Sequence, residues 1–314
     1  MSKVFLVGEP MALFSATTLG SIEDVENFNR SLAGAEVNVC IGLKRLGHDV
    51  EYVTKLGKDP FAKYIIKTLN NEGIGTRYIT TDPAYLTGFQ VKSKVSSGDP
   101  EVSNFRKGSA ASHLSVDEIN EIDFTDIQHV HITGIFPALS VSCRQAVYRI
   151  IEKAKNNNIM ITFDPNLRPS LWESNDTMVE VVNDLASKCD IILPGINEGE
   201  ILMGSNDPRD IAKFYLDKGA KTVIIKVGAE GAYVATDNEE YMVPGFKVDK
   251  VVDTVGAGDG FAVGVISSIL EGLTLKEAVV RGNAIGSLQV TVQGDNEGLP
   301  NREELEIFMK TKIK

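Results

Sequence analysis

The sequence predicts an α/β protein built on one mainly parallel sheet covered by helices on both faces. Three observations carry that expectation. Short apolar strands and helical stretches alternate along most of the 314 residues. The strands end in polar, glycine- and proline-rich segments, namely GEP, TGIFP, DPNLR, PGINEGE and VGAEG. Two stretches, about 10–33 and 85–107, depart from the alternation: the first holds no clear helix and the second carries β-type patterning. Repeated strand–helix–strand units bury their strands under helices and present ligands at the strands' C-terminal ends.

Taken in order, Val4 to Val7 is a short apolar run closed by Gly8 and Glu9, which fits a buried first strand and is too short for a signal peptide. In AEVNVCIGLKRLG, Val37, Ile41 and Leu43 recur near helical spacing, and Gly47 is a stop signal. DVEYVTKLG reads as a strand. DPFAKYIIKTLNNEG reads as a helix with Asp59 as N-cap and Pro60 in the first turn. In LTGFQVKSKV, Phe89, Val91 and Val95 alternate with Gln90, Lys92 and Lys94, the period of a half-exposed strand. The turn signal SSGDP would join it to EVSNFR as a hairpin. Such a hairpin is read as a lid, or equally as an edge extension or a contact with a second copy. From Gln128 onward the strands HVHITG, MITFDPN, DIILPG and TVIIKVG are separated by helices near 141–156, 174–188 and 208–219. KVDKVVD is strand-like. GFAVGVISSILEGL is helical, with Phe261, Val265 and Ile269 near one face.

Composition limits the function. Hydrophobic content of 43% with 24% charged residues is ordinary for a soluble globular chain. A net charge of −11 without a Lys/Arg cluster disfavours nucleic acid and anionic membranes as partners. No apolar run approaches the roughly 18 residues of a membrane span. Cys40, Cys143 and Cys189 lack metal-type spacing and read as packing thiols, so the expected location is the cytoplasm. His48, His113, His129 and His131 show no ligand spacing either.

The chemistry concentrates in VVDTVGAGDGFAVG, Val251 to Gly264. Gly256 and Gly258 fall in a tight strand-to-helix turn, where the first backbone N–H groups have no intrahelical partner. Those donors and the positive end of the helix dipole attract an anion such as phosphate. Asp259, in the first helical turn, would repel a resting phosphate, so its presence calls for another reason. A hydroxyl attacking a phosphoryl group must lose its proton, and a carboxylate about 3 Å away can take it. The N–H pocket would hold the charge that builds on the transferred group. Stabilisation of the first helical turn is the alternative role for Asp259. The chain contains no G-x-x-x-x-G-K-[ST], and Phe261 stands where a dinucleotide fingerprint starting at Gly256 needs glycine.

DTVGAGDGF resembles the C-terminal signature D-T-x-G-A-G-D of the ribokinase-like carbohydrate kinases, the PfkB family. LAGAEVNVCIGLKRLG is similar to that family's N-terminal substrate motif, LPGINEGE to its N-x-x-E motif, and IIKVGAEGAYV to its nucleotide-side strand. The resemblance covers nearly the whole chain and implies one three-layer α/β/α domain over 1–314 with a small β-sheet lid. ATP is the implied donor, with magnesium and a sugar hydroxyl as acceptor; a monovalent cation is left open, and family members often pair through the lid as homo-oligomers. GEP, NFRKGSAAS, HITGIFPALS, DPNLRPSLW and GDNEGLP are similar to members that phosphorylate the terminal hydroxyl of 2-keto-3-deoxy-D-gluconate to the 6-phosphate, which is the expected reaction. A kinase of another sugar or sugar acid, such as a fructokinase or ribokinase, and a catalytically silent sugar-binding regulator are the alternatives.

By the same resemblance Asp259 is the catalytic base, and Gly256, Ala257 and Gly258 supply backbone donors. Asn197 and Glu200 match N-x-x-E and would organise the magnesium shell through water, although their spacing also suits a helix cap. Lys226, Gly228, Gly231, Thr254 and Asn283 fall on the nucleotide side, where Lys226 could equally be a solvated strand-end lysine. Gly34, Asn38, Phe89, Asn104, Asp253 and Asp295 fall on the acceptor side; Asn38 could equally be a polar helix residue and Asp295 a turn residue. Arg106 and Arg168 suit a sugar-acid carboxylate through charge-assisted, fork-shaped bonds. Ala33 replaces a second glycine common in the family, and Phe89 and Asn104 stand where relatives often carry tyrosines.

Overall fold

The computed structural model describes residues 3–96 and 100–312. The chain opens with β1 (Lys3–Val7), then leaves the main body for β2 (Met11–Ala16) and β3 (Phe28–Ala33), and returns through α1 (Ala35–Arg45). Next come β4 (Asp49–Gly57), α2 (Pro60–Asn71) and β5 (Ile79–Asp82), followed by the short strands β6 (Phe89–Lys92) and β7 (Val102–Phe105). A regular alternation follows: α3 (Val116–Asn120), β8 (Ile127–Thr133), α4 (Val141–Asn156), β9 (Met160–Asp164), α5 (Asn175–Ala186), β10 (Ile191–Ile192), α6 (Ile196–Met203), α7 (Pro208–Asp217) and β11 (Thr222–Lys226). The chain closes with β12 (Gly231–Thr236), β13 (Glu240–Pro244), α8 (Ala257–Leu270), α9 (Leu275–Gln289) and α10 (Arg302–Lys312).

Among the described residues, nine strands form the large sheet in the order β13-β12-β11-β10-β9-β8-β1-β4-β5. It is parallel from β5 to β11 and antiparallel for the last two pairs. Successive side chains of a strand point to opposite faces. Phe5, Val130, Phe163 and Val223 accordingly join one apolar layer with Val147, Val182 and Ile211 of α4, α5 and α7. Leu6, Tyr52 and Ile224 join the other layer with Ile41, Ile65, Val265 and Ile285 of α1, α2, α8 and α9. The molecule is therefore a three-layer α/β/α sandwich, as the alternation predicts.

The elements of the regular part lie close to where the sequence puts them. Asp59 caps α2, its side chain accepting from the Ala62 N–H at 2.9 Å, and Gly47 takes φ +87° after α1. Residues 10–33 and 85–107 supply the four strands of a separate sheet, β3-β2-β6-β7, with β6 and β7 antiparallel as the hairpin reading requires. The middle of its SSGDP turn, residues 97–99, lies outside the described residues. One strand is misread. KVDKVVD is irregular, because its valines meet no strand edge: Val251 and Val252 are exposed, and Val252 bonds only the Val290 carbonyl at the end of α9. Cys40, Cys143 and Cys189 are free and buried. His129 and His131 both bond the Thr162 hydroxyl, and burial pushes both imidazoles down to about 3, so they are neutral packing groups. Among the described residues no helix is long and apolar enough to cross a membrane.

Candidate active site

A cleft of about 580 Å³ opens where the C-terminal ends of β1, β8, β9 and β11 meet the first turns of α1 and α8. The small sheet forms its opposite wall through Gln90, Lys92, Val102 and Asn104. Two glycines make the helix entries. Gly34, the N-cap of α1, takes φ +138°, and a Cβ there would lie 2.9 Å from the Glu9 carbonyl oxygen. Gly256, the N-cap of α8, takes φ +78°, and a Cβ there would strike the Asp295 carbonyl. Both conformations suit glycine and exclude most side chains.

The α8 entry is the anion-binding end of the cleft. The N–H groups of Gly256, Gly258 and Asp259 meet no acceptor among the described residues, whereas the Ala257 N–H turns back to the Thr254 carbonyl at 3.4 Å. Lys226 Nζ lies against this turn, 3.6 Å from where a Gly258 Cβ would stand. Its ammonium donates to Asp164 Oδ2 at 2.6 Å, with Glu198 nearby; burial lowers its pKa, but these carboxylates more than offset that and leave it raised.

Asp259 is buried beside the turn and meets amides rather than a cation. Asn38 Nδ2 donates to Oδ2 at 2.8 Å, and Asn166 Nδ2 stands 3.5 Å from Oδ1. Burial pushes the carboxyl up to about 7; the Asn38 hydrogen bond and Lys226 oppose this, and Asp164 and Glu36 add to it. An acid poised near neutrality beside unpartnered N–H donors can accept a proton from an attacking hydroxyl.

The acceptor end is built differently. Arg106 is buried and directs Nε and Nη2 to Glu9 Oε2, each at 2.6 Å, while the Ser109 hydroxyl donates to Glu9 Oε1. Lys92 reaches across from β6 to Asp253 Oδ2 at 3.0 Å and to within 4.0 Å of Asp295 Oδ1. Burial pushes the Asp295 carboxyl up to about 6 against the pull of Lys92. Arg168 is exposed on the cleft wall, with Nη1 donating to the Leu167 and Asn166 carbonyls at 2.9 and 3.4 Å. Among the described residues it makes no ion pair.

A model of the pfkB family carbohydrate kinases matches residues 1–302. The chain belongs to that family. The kinase is 49% identical to a 2-dehydro-3-deoxygluconokinase of Bacillus subtilis, over 96% of this chain and 94% of that protein. It is 32% identical to a 2-dehydro-3-deoxygluconokinase of Thermoproteus tenax, over 99% and 95%. Among solved structures, a PfkB protein from Polaromonas superposes with a TM-score of 0.89 at 42% identity, covering 98% of this chain and 99% of that one. A putative ribokinase II from E. coli, solved in complex with ATP and Mg²⁺, gives 0.90 at 29% identity, covering 99% and 100%.

The structure brings together on the cleft Gly34, Asn38, Asn104, Arg106, Arg168, Lys226, Thr254, Gly256, Gly258, Asp259 and Asp295. It does not bring every expected residue there. Phe89 turns to the other face of the small sheet, stacked on Phe105 at 4.6 Å and packed against Phe14 and Phe61, because strand alternation gives the cleft to Gln90 and Lys92. Asp253 lies behind the wall, tied to Lys92 and to the Val255 N–H. Asn283 directs Nδ2 to the Val243 and Pro244 carbonyls and so fastens α9 to β13. Gly228 and Gly231 flank the short turn between β11 and β12, with positive φ, away from the cleft wall. Asn197 and Glu200 are exposed on α6, likewise outside it.

Sequence reasoning missed Glu9, Glu36, Lys92, Asp164, Asn166, Glu198 and Asn296. Glu36 is one legible case: it stands in the first turn of a helix whose neighbouring positions are mostly apolar, is buried, and accepts from Thr133. Lys92 looked like one more member of a solvated strand face. Only the position of Asp253, 161 residues away, reveals its pairing.

Proposed function

We propose that this carbohydrate kinase transfers the γ-phosphoryl group of ATP to the terminal hydroxyl of 2-keto-3-deoxy-D-gluconate, giving the 6-phosphate. The observation that carries the reading is the combination, in one cleft, of an amide-held acid beside N–H donors that meet no acceptor among the described residues with an arginine, Arg168, that makes no ion pair among them. Both 2-dehydro-3-deoxygluconokinases match over nearly their full lengths, which supports a sugar-acid acceptor.

In this mechanism Asp259 accepts the proton of the attacking hydroxyl as the new oxygen–phosphorus bond forms. The bond to the ADP oxygen breaks on the opposite side. Gly256, Gly258 and Asp259 N–H groups, with Lys226, hold the charge on the transferred group. Arg168 orients the acceptor through its carboxylate. Arg106, already engaged by Glu9, shapes the wall and contributes less to selectivity.

The residues present also suit magnesium. Magnesium is held by one or two carboxylates together with phosphates and waters rather than by an all-protein cage. Among the described residues no group of three or more His, Cys, Asp and Glu side chains converges. Asn197 and Glu200, three apart on α6, are exposed oxygen donors, and Glu200 makes no ion pair among the described residues. They would hold the ion through water, and bound there it would neutralise phosphate charge.

Residues 10–33 and 85–107 act as the lid in this reading, closing over the acceptor and excluding water that would otherwise hydrolyse ATP. The outer side of the same sheet, where Phe105 is 54% exposed, is the proposed contact with a second copy, and sedimentation of Phe105→Glu against wild type tests it. The main test is ADP release across a panel of 2-keto-3-deoxygluconate, gluconate, fructose and ribose. The keto acid should give the highest kcat/KM by at least tenfold. Preference for fructose or ribose would replace the assignment with a neutral-sugar kinase, and no ADP release with any acceptor would leave a binding protein.

A further inference from the structure

Asn38 presents a problem of orientation that the sequence cannot pose. A side-chain amide has nearly the same shape with its oxygen and nitrogen exchanged. Beside a proton acceptor the two orientations have opposite consequences. With the NH₂ group toward Asp259 the ionised carboxylate is favoured; with the oxygen toward it, the protonated acid is.

The network around Asn38 decides between them, starting from an atom that has only one role. The backbone carbonyl of Leu32, in β3 of the small sheet, can only accept. Asn296 Nδ2 donates to it at 2.8 Å, so the NH₂ end of Asn296 is fixed. The second hydrogen of the same Nδ2 points to Asn38, 3.0 Å away, and the atom it meets must therefore be Oδ1. Asn38 Nδ2 is thereby left facing Asp259 Oδ2 at 2.8 Å. All three side chains are buried, Asn38 at 2%, Asn296 at 8% and Asp259 at 8% exposure, so water does not readily scramble the order. The backbone of Asn296 is itself anchored. Its carbonyl accepts from Arg45 Nη1 at 2.9 Å, and its N–H donates to Glu297 Oε2 at 3.0 Å.

We propose that Asn296 is a positioning residue for phosphoryl transfer: it fixes the Asn38 amide so that the base always meets a donor and a protonated Asp259 never finds a hydrogen-bond acceptor in Asn38. The proposal rests on the reading of Asp259 as the base. It also ties that base to the small sheet, since the chain of bonds begins at Leu32. Asn296 never touches the acceptor in this account; it acts through Asn38. The other charged groups that bear on Asp259 are Asp164 at the end of β9, Glu36 in α1 and Lys226 at the end of β11, and the test leaves all three unchanged.

Three variants decide the matter: Asn296→Leu, Asn296→Asp and Asp259→Asn. In Asn296→Leu the Asn38 amide is free to turn, so a protonated Asp259 gains an acceptor and the acid limb of kcat/KM against pH should move up by about half a unit to one unit. In Asn296→Asp the new carboxylate takes the Asn38 NH₂ for itself, and the limb should move further in the same direction. At pH 6 the two variants should lose about threefold and tenfold or more of wild-type kcat/KM, and both should recover most of it above pH 8.5. A role confined to folding would lower the unfolding temperature and leave the limb in place, which would overturn the proposal. A shift in Asn296→Asp without one in Asn296→Leu would also overturn it, because added charge alone would then explain the effect. Should the aspartate variant fail to fold, the leucine variant alone decides. Wild-type-like turnover by Asp259→Asn would instead remove the base reading, a failure distinct from an unmoved limb in an enzyme that does need Asp259.

Discussion

The α8 end of the cleft holds its acid in the opposite way to Glu9 and Asp253 on the acceptor side, while Asp295 there, 4.0 Å from Lys92, is intermediate, with burial pushing it up to about 6. At the acceptor end, Glu9 is gripped by Arg106 and Asp253 by Lys92, so each acid has its own cation. At the α8 end, Asp259 has amides at 2.8 and 3.5 Å and lies next to Lys226, whose ammonium is bonded to Asp164 instead. Glu9 and Asp253 have their oxygens taken up by a cation and by a further donor, so they serve as architecture. An amide-held carboxylate in a poorly hydrated site stays near neutrality and can change protonation state during a reaction. The difference separates the groups that shape the cleft from the one that does chemistry.

The largest effect that would sharpen this contrast is on rate. Asp259→Asn should lower kcat about 10²–10⁴-fold with acceptor affinity largely kept, as measured by turnover and by calorimetric titration. A near-normal rate would erase the distinction between the ends. On the paired side the loss should appear in stability. Glu9→Gln keeps the shape but leaves Arg106 buried without its counter-charge, and denaturant unfolding should show a loss of about 3 kcal/mol.

Arg168→Ala should cut kcat/KM for the keto acid about 10–100-fold while fructose and ribose change far less, the cost of one charge-assisted contact. Equal losses for all acceptors would refute carboxylate recognition by Arg168. The last effect expected is a gain in stability rather than a loss. Because the Asp259 pKa is raised in the fold, ionising it costs stability progressively as pH rises from about 4 through about 7. Asp259→Asn escapes that cost. Its unfolding temperature should match wild type near pH 4 and exceed it at pH 8, so one substitution would remove activity and add stability.

Much of this was legible in the chain. Alternating strand and helix gave the large sheet and both covering layers, since period 2 and period 3.6 are local properties of sequence. The glycines and Asp259 were legible too, because a helix entry needs only a few adjacent residues to declare itself. What escaped were groups whose meaning lies in a distant partner. Lys92 pairs with Asp253, and Asn38 meets both Asp259 and Asn296, across separations of 161, 221 and 258 residues. Asn283 is a further case, for its amide has backbone partners in β13 that the sequence does not reveal. KVDKVVD failed for a related reason: β-prone residues make a strand only where a sheet edge is available.

Asp259 is a buried acid pushed up to about 7 beside backbone donors that meet no acceptor among the described residues. Carbon-13 carboxyl NMR of the wild-type enzyme, with the Asp259 resonance assigned from Asp259→Asn, measures this directly. The account predicts a titration midpoint near 7 in the free enzyme. A midpoint near the ordinary 3.8 would contradict it.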